Sequence, residues 1–82
     1  MLEILKREII GEEFEYITVR ILNDDKVDRV ILKRRPNWNN RVIDITIFFK
    51  SHRVATYSGN LSNHKMPPKY RKYITEIEKK LK

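Results

Sequence analysis

The sequence predicts an α+β fold in which an antiparallel β-meander of four to five strands carries a C-terminal amphipathic helix packed on one face. Through the middle of the chain apolar residues alternate with polar ones, which is the two-residue period of a half-buried strand. Runs rich in Asn, Asp and Pro separate these segments and favour turns. The end of the chain instead repeats its apolar positions with the period of a helix. A small, partly open SH3-like barrel is an alternative arrangement of the same strands.

The first ten residues fit two structures. They suit a short helix that ends at Gly11, and they suit a strand that turns back at Gly11 onto the next alternating run. In that hairpin Glu3 faces Arg20, which is favourable, and Glu8 faces Glu15, which is not. We favour the strand slightly.

Strands are predicted next at about 16–21, 29–35, 41–50 and 53–58, with turns or loops at 23–26 and 36–40. The helix is predicted over 67–81. Pro67 and Pro68 suit its first turn, and lysines in its last turn suit the negative end of the helix dipole. Its apolar stripe is formed by Tyr70, Tyr73, Ile74, Ile77 and Leu81.

Alternating residues of a strand point to opposite faces of the sheet, so parity predicts two different surfaces. The core face collects large aliphatic and aromatic residues: Ile17, Val19, Ile21, Val30, Leu32, Ile43, Ile45, Ile47 and Phe49. The second face mixes aromatic rings with cations: Phe14, Tyr16, Thr18, Arg20, Arg29, Ile31, Lys33, Arg35, Val42, Asp44, Thr46, Phe48 and Lys50, joined by Arg53, Ala55 and Tyr57.

Length and composition indicate one small domain, 1–82, with 40% hydrophobic and 35% charged residues. No apolar run is long enough to cross a bilayer, and the absence of cysteine excludes disulfides and thiolate metal sites. We therefore expect an intracellular, cytoplasmic protein with no membrane partner. The chain is rich in Lys, Glu and Ile and lacks Gln, which is typical of a thermophile and also of an AT-rich genome.

The charges are unevenly distributed along the chain. Residues 1–30 carry five cations and eight acids, a local charge of −3, whereas residues 31–82 carry thirteen cations and three acids, a local charge of +10. Such a basic segment favours a polyanionic partner, most simply DNA or RNA, because cations neutralise phosphates. A basic surface that is merely solvated is the alternative.

The cations and rings of the second face suit phosphate contacts and base stacking. The sharpest feature is the loop 36–40, where the only tryptophan is flanked by three arginines. The residues predicted to contact phosphates are Lys33, Arg34, Arg35, Arg41, Lys50 and Arg53, and those predicted to stack or wedge are Trp38, Tyr16 and Phe48. A solvated sheet face and a homodimer interface are the alternatives. The basic segment 64–72 is a weaker candidate for phosphate contacts.

Catalysis is not expected. The chain has no phosphate-binding loop or nucleophile elbow, and two histidines without cysteine make a metal site improbable, so no cofactor is expected. Asp44 is interpreted as half of a cross-strand ion pair with Lys33 or Arg29. A metal-independent ribonuclease is a weak alternative, with candidate residues His52, Arg53, Tyr57, His64 and Lys65. The stronger alternative is a protein–protein module, for example a viral or plasmid-encoded modulator that binds an acidic host surface.

The order of elements resembles the small SH3-like chromatin proteins of hyperthermophilic archaea. The likeness rests on a turn through Gly11-Glu12-Glu13, the strands over 29–58 and a proline-started helix from Pro67. It implies non-specific duplex binding by a three-stranded sheet with apolar intercalation. The chain departs from that pattern because it is longer, its Trp38 lies in a loop, and the Gly-rich turn between the last two strands is missing.

Overall fold

The computed structural model describes residues 1–58 and 66–81. Five consecutive strands form one antiparallel sheet in the order of the sequence, and a helix follows. In the described residues the first and last strands do not pair, so the meander is confirmed and the sheet is not closed into a barrel. The elements are β1 (Leu2–Ile10), β2 (Phe14–Ile21), β3 (Val27–Arg35), a 3₁₀ turn (Pro36–Trp38), β4 (Arg41–Phe49), β5 (Val54–Ser58) and α1 (Pro68–Leu81).

The first ten residues form an edge strand, and its register contains a bulge. Glu3 faces Arg20, as predicted. A register shift between Ile4 and Lys6 then moves the pairing by one residue, so Glu8 faces Tyr16, whereas the sequence predicted that it would face Glu15. Because of this shift the two carboxylates are not paired across the strands. The Glu8 carboxylate instead lies 2.6 Å from Lys6 Nζ on its own strand.

A second irregularity changes which residues of β4 are buried. Lys33 faces Asp44, but the next pair is Arg34 with Val42, so Ile43 has no partner on β3. Val42 is therefore buried and Ile43 is half-buried, the reverse of the parity prediction. A bulge inserts one extra residue and inverts the alternation on one side of it.

The core lies between one face of the sheet and α1. The helix buries Tyr70, Ile74 and Ile77 in the same apolar cluster as the sheet. The sheet contributes aliphatic side chains from all four of its longer strands: Leu2, Ile17, Val19, Ile21, Val27, Val30, Leu32, Val42, Ile45 and Ile47. No helix in the described part of the chain is long and apolar enough to cross a membrane.

The faces of β5 differ from the prediction. Ala55 faces Ile47 and Tyr57 faces Ile45, so both lie on the core side of the sheet. The Tyr57 ring lies 5.7 Å from the Tyr70 ring of α1, which explains why it is half-buried. The register is set by the β4–β5 turn, in which His52 has a φ of 70°.

One carboxylate joins the start of α1 to the β2–β3 turn. Asp24 is buried and accepts hydrogen bonds from the backbone N–H groups of Lys26 and Val27, at 2.8 and 3.0 Å. It also accepts a hydrogen bond from the Tyr73 hydroxyl, and Lys69 Nζ lies 2.5 Å away. Burial opposes ionisation of Asp24, but these donors outweigh it and hold its pKa well below the ordinary value.

Candidate nucleic-acid interface

The sheet face opposite α1 is not covered by any described element. We call it the open face. Cross-strand register places its side chains in rows that run across the strands. Its members are Glu3, Lys6, Glu8, Ile10, Phe14, Tyr16, Thr18, Arg20, Arg29, Ile31, Lys33, Arg35, Arg41, Asp44, Thr46, Phe48, Val54, Thr56 and Ser58.

At one end of the open face, rings and cations alternate in an unbroken series. Arg35 Cζ lies 5.1 Å from the centroid of the Trp38 ring and 5.0 Å from that of Phe14. Lys33 Nζ lies 4.3 Å from the Phe14 centroid and 5.6 Å from that of Tyr16. We call these five residues the cation–aromatic ladder. Each contact is an attraction between a cation and the negative face of a ring.

The β3–β4 loop holds Trp38 at the end of the ladder. The residues after the 3₁₀ turn, Asn39 and Asn40, have φ values of 56° and 57°, a left-handed conformation that Asn tolerates better than most residues. Asn37 Nδ2 donates a hydrogen bond of 3.2 Å to the backbone carbonyl of Glu12, which ties the loop to the β1–β2 turn. The Trp38 side chain is 61% exposed, so a ligand can reach it.

An open pocket of about 380 Å³ lies against the ladder and is lined by Phe14, Lys33, Arg35, Trp38, Arg41, Val42 and Ile43. Arg35 faces Arg41 directly across the two strands, so both arginines belong to this end of the sheet. Among the residues that the structure describes, Lys33, Arg35 and Arg41 form no salt bridge within 4 Å. Arg35 Nε is buried and has no hydrogen-bond partner. The pocket therefore offers positive charge to an anion.

Asp44 places one negative charge on the same face. It lies directly opposite Lys33, one of the two partners proposed from the sequence. Burial raises the pKa of Asp44, and the nearby Lys33 charge offsets part of that rise. Within the described residues the two groups form no salt bridge, since Lys33 Nζ lies over the Phe14 ring.

Arg34, which the sequence placed among the phosphate contacts, lies on the other side of the sheet. It is 7% exposed, and its Nε donates a hydrogen bond of 2.6 Å to Oε1 of Glu15. Arg7 donates to the second oxygen of the same carboxylate, at 3.0 and 3.2 Å. Burial would raise the pKa of Glu15, but the two arginines outweigh it and lower the pKa. Because its Nε is used in this buried pair, Arg34 is left out of the site.

Two other candidate cations lie far from the ladder. Lys50 is exposed in the β4–β5 turn, at the opposite end of β4 from Arg41, which is about 30 Å away at the rise of an extended strand. Arg53 Cζ lies 6.0 Å from the ring of Phe49, on the core side of the sheet. Phe48 stays on the open face, where Arg29 Cζ lies 5.1 Å from its ring. The site that the sheet brings together is therefore smaller than the one predicted.

Two contributors to the open face were not singled out in the sequence. Phe14 is the ring that both Lys33 and Arg35 contact, and Arg29 covers Phe48. Strand parity had placed both on this face. The sequence signal that could have identified them is this shared face, on strands next to those of the residues predicted to bind.

The weaker candidates do not assemble into a second site within the described residues. Lys69, in the basic segment before the helix, lies against Asp24. His52 is in the exposed β4–β5 turn and Tyr57 is on the core side, while His64 and Lys65 lie outside the described residues. The described part of the chain contains no group of three or more His, Asp or Glu side chains able to hold a metal ion.

Comparison of the chain with protein-family models, with curated proteins and with solved structures gives no significant match.

Proposed function

We propose that this protein is a nucleic-acid-binding protein that holds its ligand on the ladder end of the open face and does not act as an enzyme. The observation that carries the proposal is the cation–aromatic ladder itself. It sets two cations between three rings beside Arg41, with no carboxylate paired to the cations in the described structure. Rings that stack bases and cations that meet phosphates are the two components of a groove of low sequence specificity.

The charge distribution supports this choice of ligand. The segment that follows residue 30 has a local charge of +10, and it contributes β3, β4 and the loop between them. The edge strand β1 and its turn instead carry acids, among them Glu3 and Glu8 on the open face and Glu12 and Glu13 beside it. On the open face β1 also carries Lys6, which is paired with Glu8, so a polyanion is attracted more strongly to the β3–β4 side of the face than to the β1 side.

The test is a pair of charge-matched double variants. Arg35→Gln with Arg41→Gln removes two positive charges from the ladder end. Lys72→Gln with Lys79→Gln removes two from exposed positions on α1, on the opposite side of the sheet. Binding of labelled DNA and RNA oligonucleotides is measured by fluorescence anisotropy over a range of salt concentrations.

We expect the arginine variant to weaken binding at least tenfold and to reduce the log–log salt slope by about two, since about one unit is lost with each phosphate contact. The lysine variant should change the affinity less than threefold. Equal effects of the two variants would mean that only net charge matters, and they would contradict a site on the open face. An absence of DNA and RNA binding by the wild-type protein would reject the function itself.

A protein–protein module is the second candidate, and the edge strand β1 favours it. This nine-residue strand is the edge of the described sheet and exposes Leu5, Ile9 and Ile10, with Ile9 67% exposed. Exposed strand edges with apolar side chains pair readily with other chains. A β1-mediated contact would depend on Ile9 and not on Arg35, so Ile9→Lys separates this candidate from nucleic-acid binding.

A further inference from the structure

The ladder contains a place for one flat group between two aromatic rings. The Arg35 guanidinium lies 5.0 Å from the Phe14 centroid and 5.1 Å from the Trp38 centroid, so those centroids are at most about 10 Å apart. Aromatic groups stack with centroids about 4.5–7 Å apart. A single planar ring centred where the Arg35 guanidinium now lies is therefore within stacking distance of both Phe14 and Trp38.

Arg35 fills this place poorly in the free protein. Its Nε is buried and has no hydrogen-bond partner, so one donor of a charged group is unused. Contacts between a cation and an exposed ring are also weaker than the stacking of a base on a ring. Exchanging the guanidinium for a base gains stacking and frees Arg35 for a charge-assisted hydrogen bond to phosphate.

We propose that the slot between Phe14 and Trp38 receives one unpaired base and that the ligand is therefore a single strand. This rests on the proposed function and names its ligand class. The base enters the 380 Å³ pocket beside Lys33 and Arg41. Arg35 then turns outward to the phosphate attached to that base. A paired base within a duplex cannot enter, because both of its faces are covered by neighbouring bases.

The line of cations on β3 fits one backbone better than two. Arg29, Lys33 and Arg35 share one strand and one face, over about 20 Å at the rise of an extended strand. Toward β1 the open face carries Glu3 and Glu8, and the lysine between them, Lys6, is paired with Glu8. The second backbone of a duplex would lie over these acids, so the charges favour a single phosphate track along β3.

Trp38 reports directly on the slot, because it is the only tryptophan. Its fluorescence is measured while the protein is titrated with four 12-nucleotide probes. These are single-stranded DNA, single-stranded RNA, the matching DNA duplex and an abasic strand that keeps the phosphates without the bases. We expect both base-bearing single strands to quench Trp38 and to bind at least tenfold more tightly than the duplex and the abasic strand. The ratio of the affinities for the DNA and RNA single strands identifies the preferred sugar.

Phe14→Leu removes one wall of the slot, and Phe49→Leu makes the same change on the core side of the sheet. We expect the first to weaken single-strand binding at least fivefold and the second less than twofold. Should Phe14→Leu fail to fold, the comparison of normal and abasic strands on the wild-type protein decides the matter. Equal affinity for all four probes would overturn the slot while leaving the proposed function standing, and no binding of any probe would reject both.

Discussion

Arg34 and Glu15 form a buried ion pair in which Arg34 Nε donates to Oε1 at 2.6 Å, with the residues 7% and 5% exposed. The two residues face each other in the β2–β3 register, so the pair bridges β2 and β3 on the core side. The next residue, Arg35, lies on the open face between two rings. Two adjacent arginines therefore have different surroundings, one structural and one exposed to a ligand.

This difference predicts that the same substitution destabilises the fold far more at Arg34 than at Arg35. Arg34→Gln leaves a buried carboxylate with Arg7 as its remaining partner, so the free energy of unfolding should fall by about 3 kcal/mol. Arg35→Gln should lower it by less than ~1 kcal/mol, because this side chain makes only weak contacts with rings. Urea unfolding followed by circular dichroism measures both values. Equal losses at the two positions would contradict the assignment of the buried pair.

Stability should fall in acid. The folded-state pKa values of Asp24 and Glu15 lie below their ordinary values near 4, so the stability they contribute is present above about pH 4 and is lost as pH falls through their folded-state pKa values. Asp44, whose pKa is raised, has the opposite effect on stability, but it is one group against the two carboxylates Asp24 and Glu15. Urea midpoints measured from pH 7 to pH 2 should therefore be flat above about pH 5 and then decline. A rising midpoint toward pH 3 would contradict this account.

Tyr73→Phe should destabilise the fold through Asp24. The substitution removes the hydroxyl that donates to this carboxylate, and a hydrogen bond to a charged group contributes about 1.5–3 kcal/mol. It should also move the acid transition to higher pH, because the folded-state pKa of Asp24 rises when a donor is lost. Tyr70→Phe on the same helix leaves the Asp24 contacts in place and serves as the control. An unchanged acid transition in Tyr73→Phe would show that the hydroxyl does not stabilise the Asp24 charge.

Asp44→Asn should strengthen nucleic-acid binding. The substitution removes a negative charge opposite Lys33 and close to the phosphate track, while it preserves the shape of the side chain. We expect the dissociation constant to fall about fivefold, roughly 1 kcal/mol, with no loss of folding stability. Asp25→Asn makes the same charge change in the exposed β2–β3 turn and should alter affinity less than twofold. Weaker binding by Asp44→Asn would mean that the carboxylate contacts the ligand favourably.

Hydrophobic period and turn residues were enough to predict the elements. The helix was expected over 67–81 and is found at Pro68–Leu81, and the two longest predicted central strands are found as β3 and β4. These signals are local, because an apolar period and a turn-forming run are both read from neighbouring residues.

The faces were predicted less well wherever the local pattern was ambiguous. Val42 and Ile43 are both aliphatic, so the sequence does not indicate which one the bulge turns inward. Each of the two faces of β5 contains a residue that can be buried, so alternation alone does not choose between them. The turn containing His52 decides the register. The contacts of Arg35 with Phe14 and Trp38 depend on side-chain conformations across three separate segments, which no local pattern specifies.

Binding of nucleic acid at the ladder end of the open face can be located residue by residue by chemical-shift mapping. The ¹⁵N-labelled protein is titrated with an unlabelled single-stranded 12-mer. We expect the largest shifts at the amides of Phe14, Lys33, Arg35 and Arg41 and at the indole N–H of Trp38, with α1 unchanged. Shifts concentrated in α1 or in the β4–β5 turn, or no shifts at saturating oligonucleotide, would contradict it.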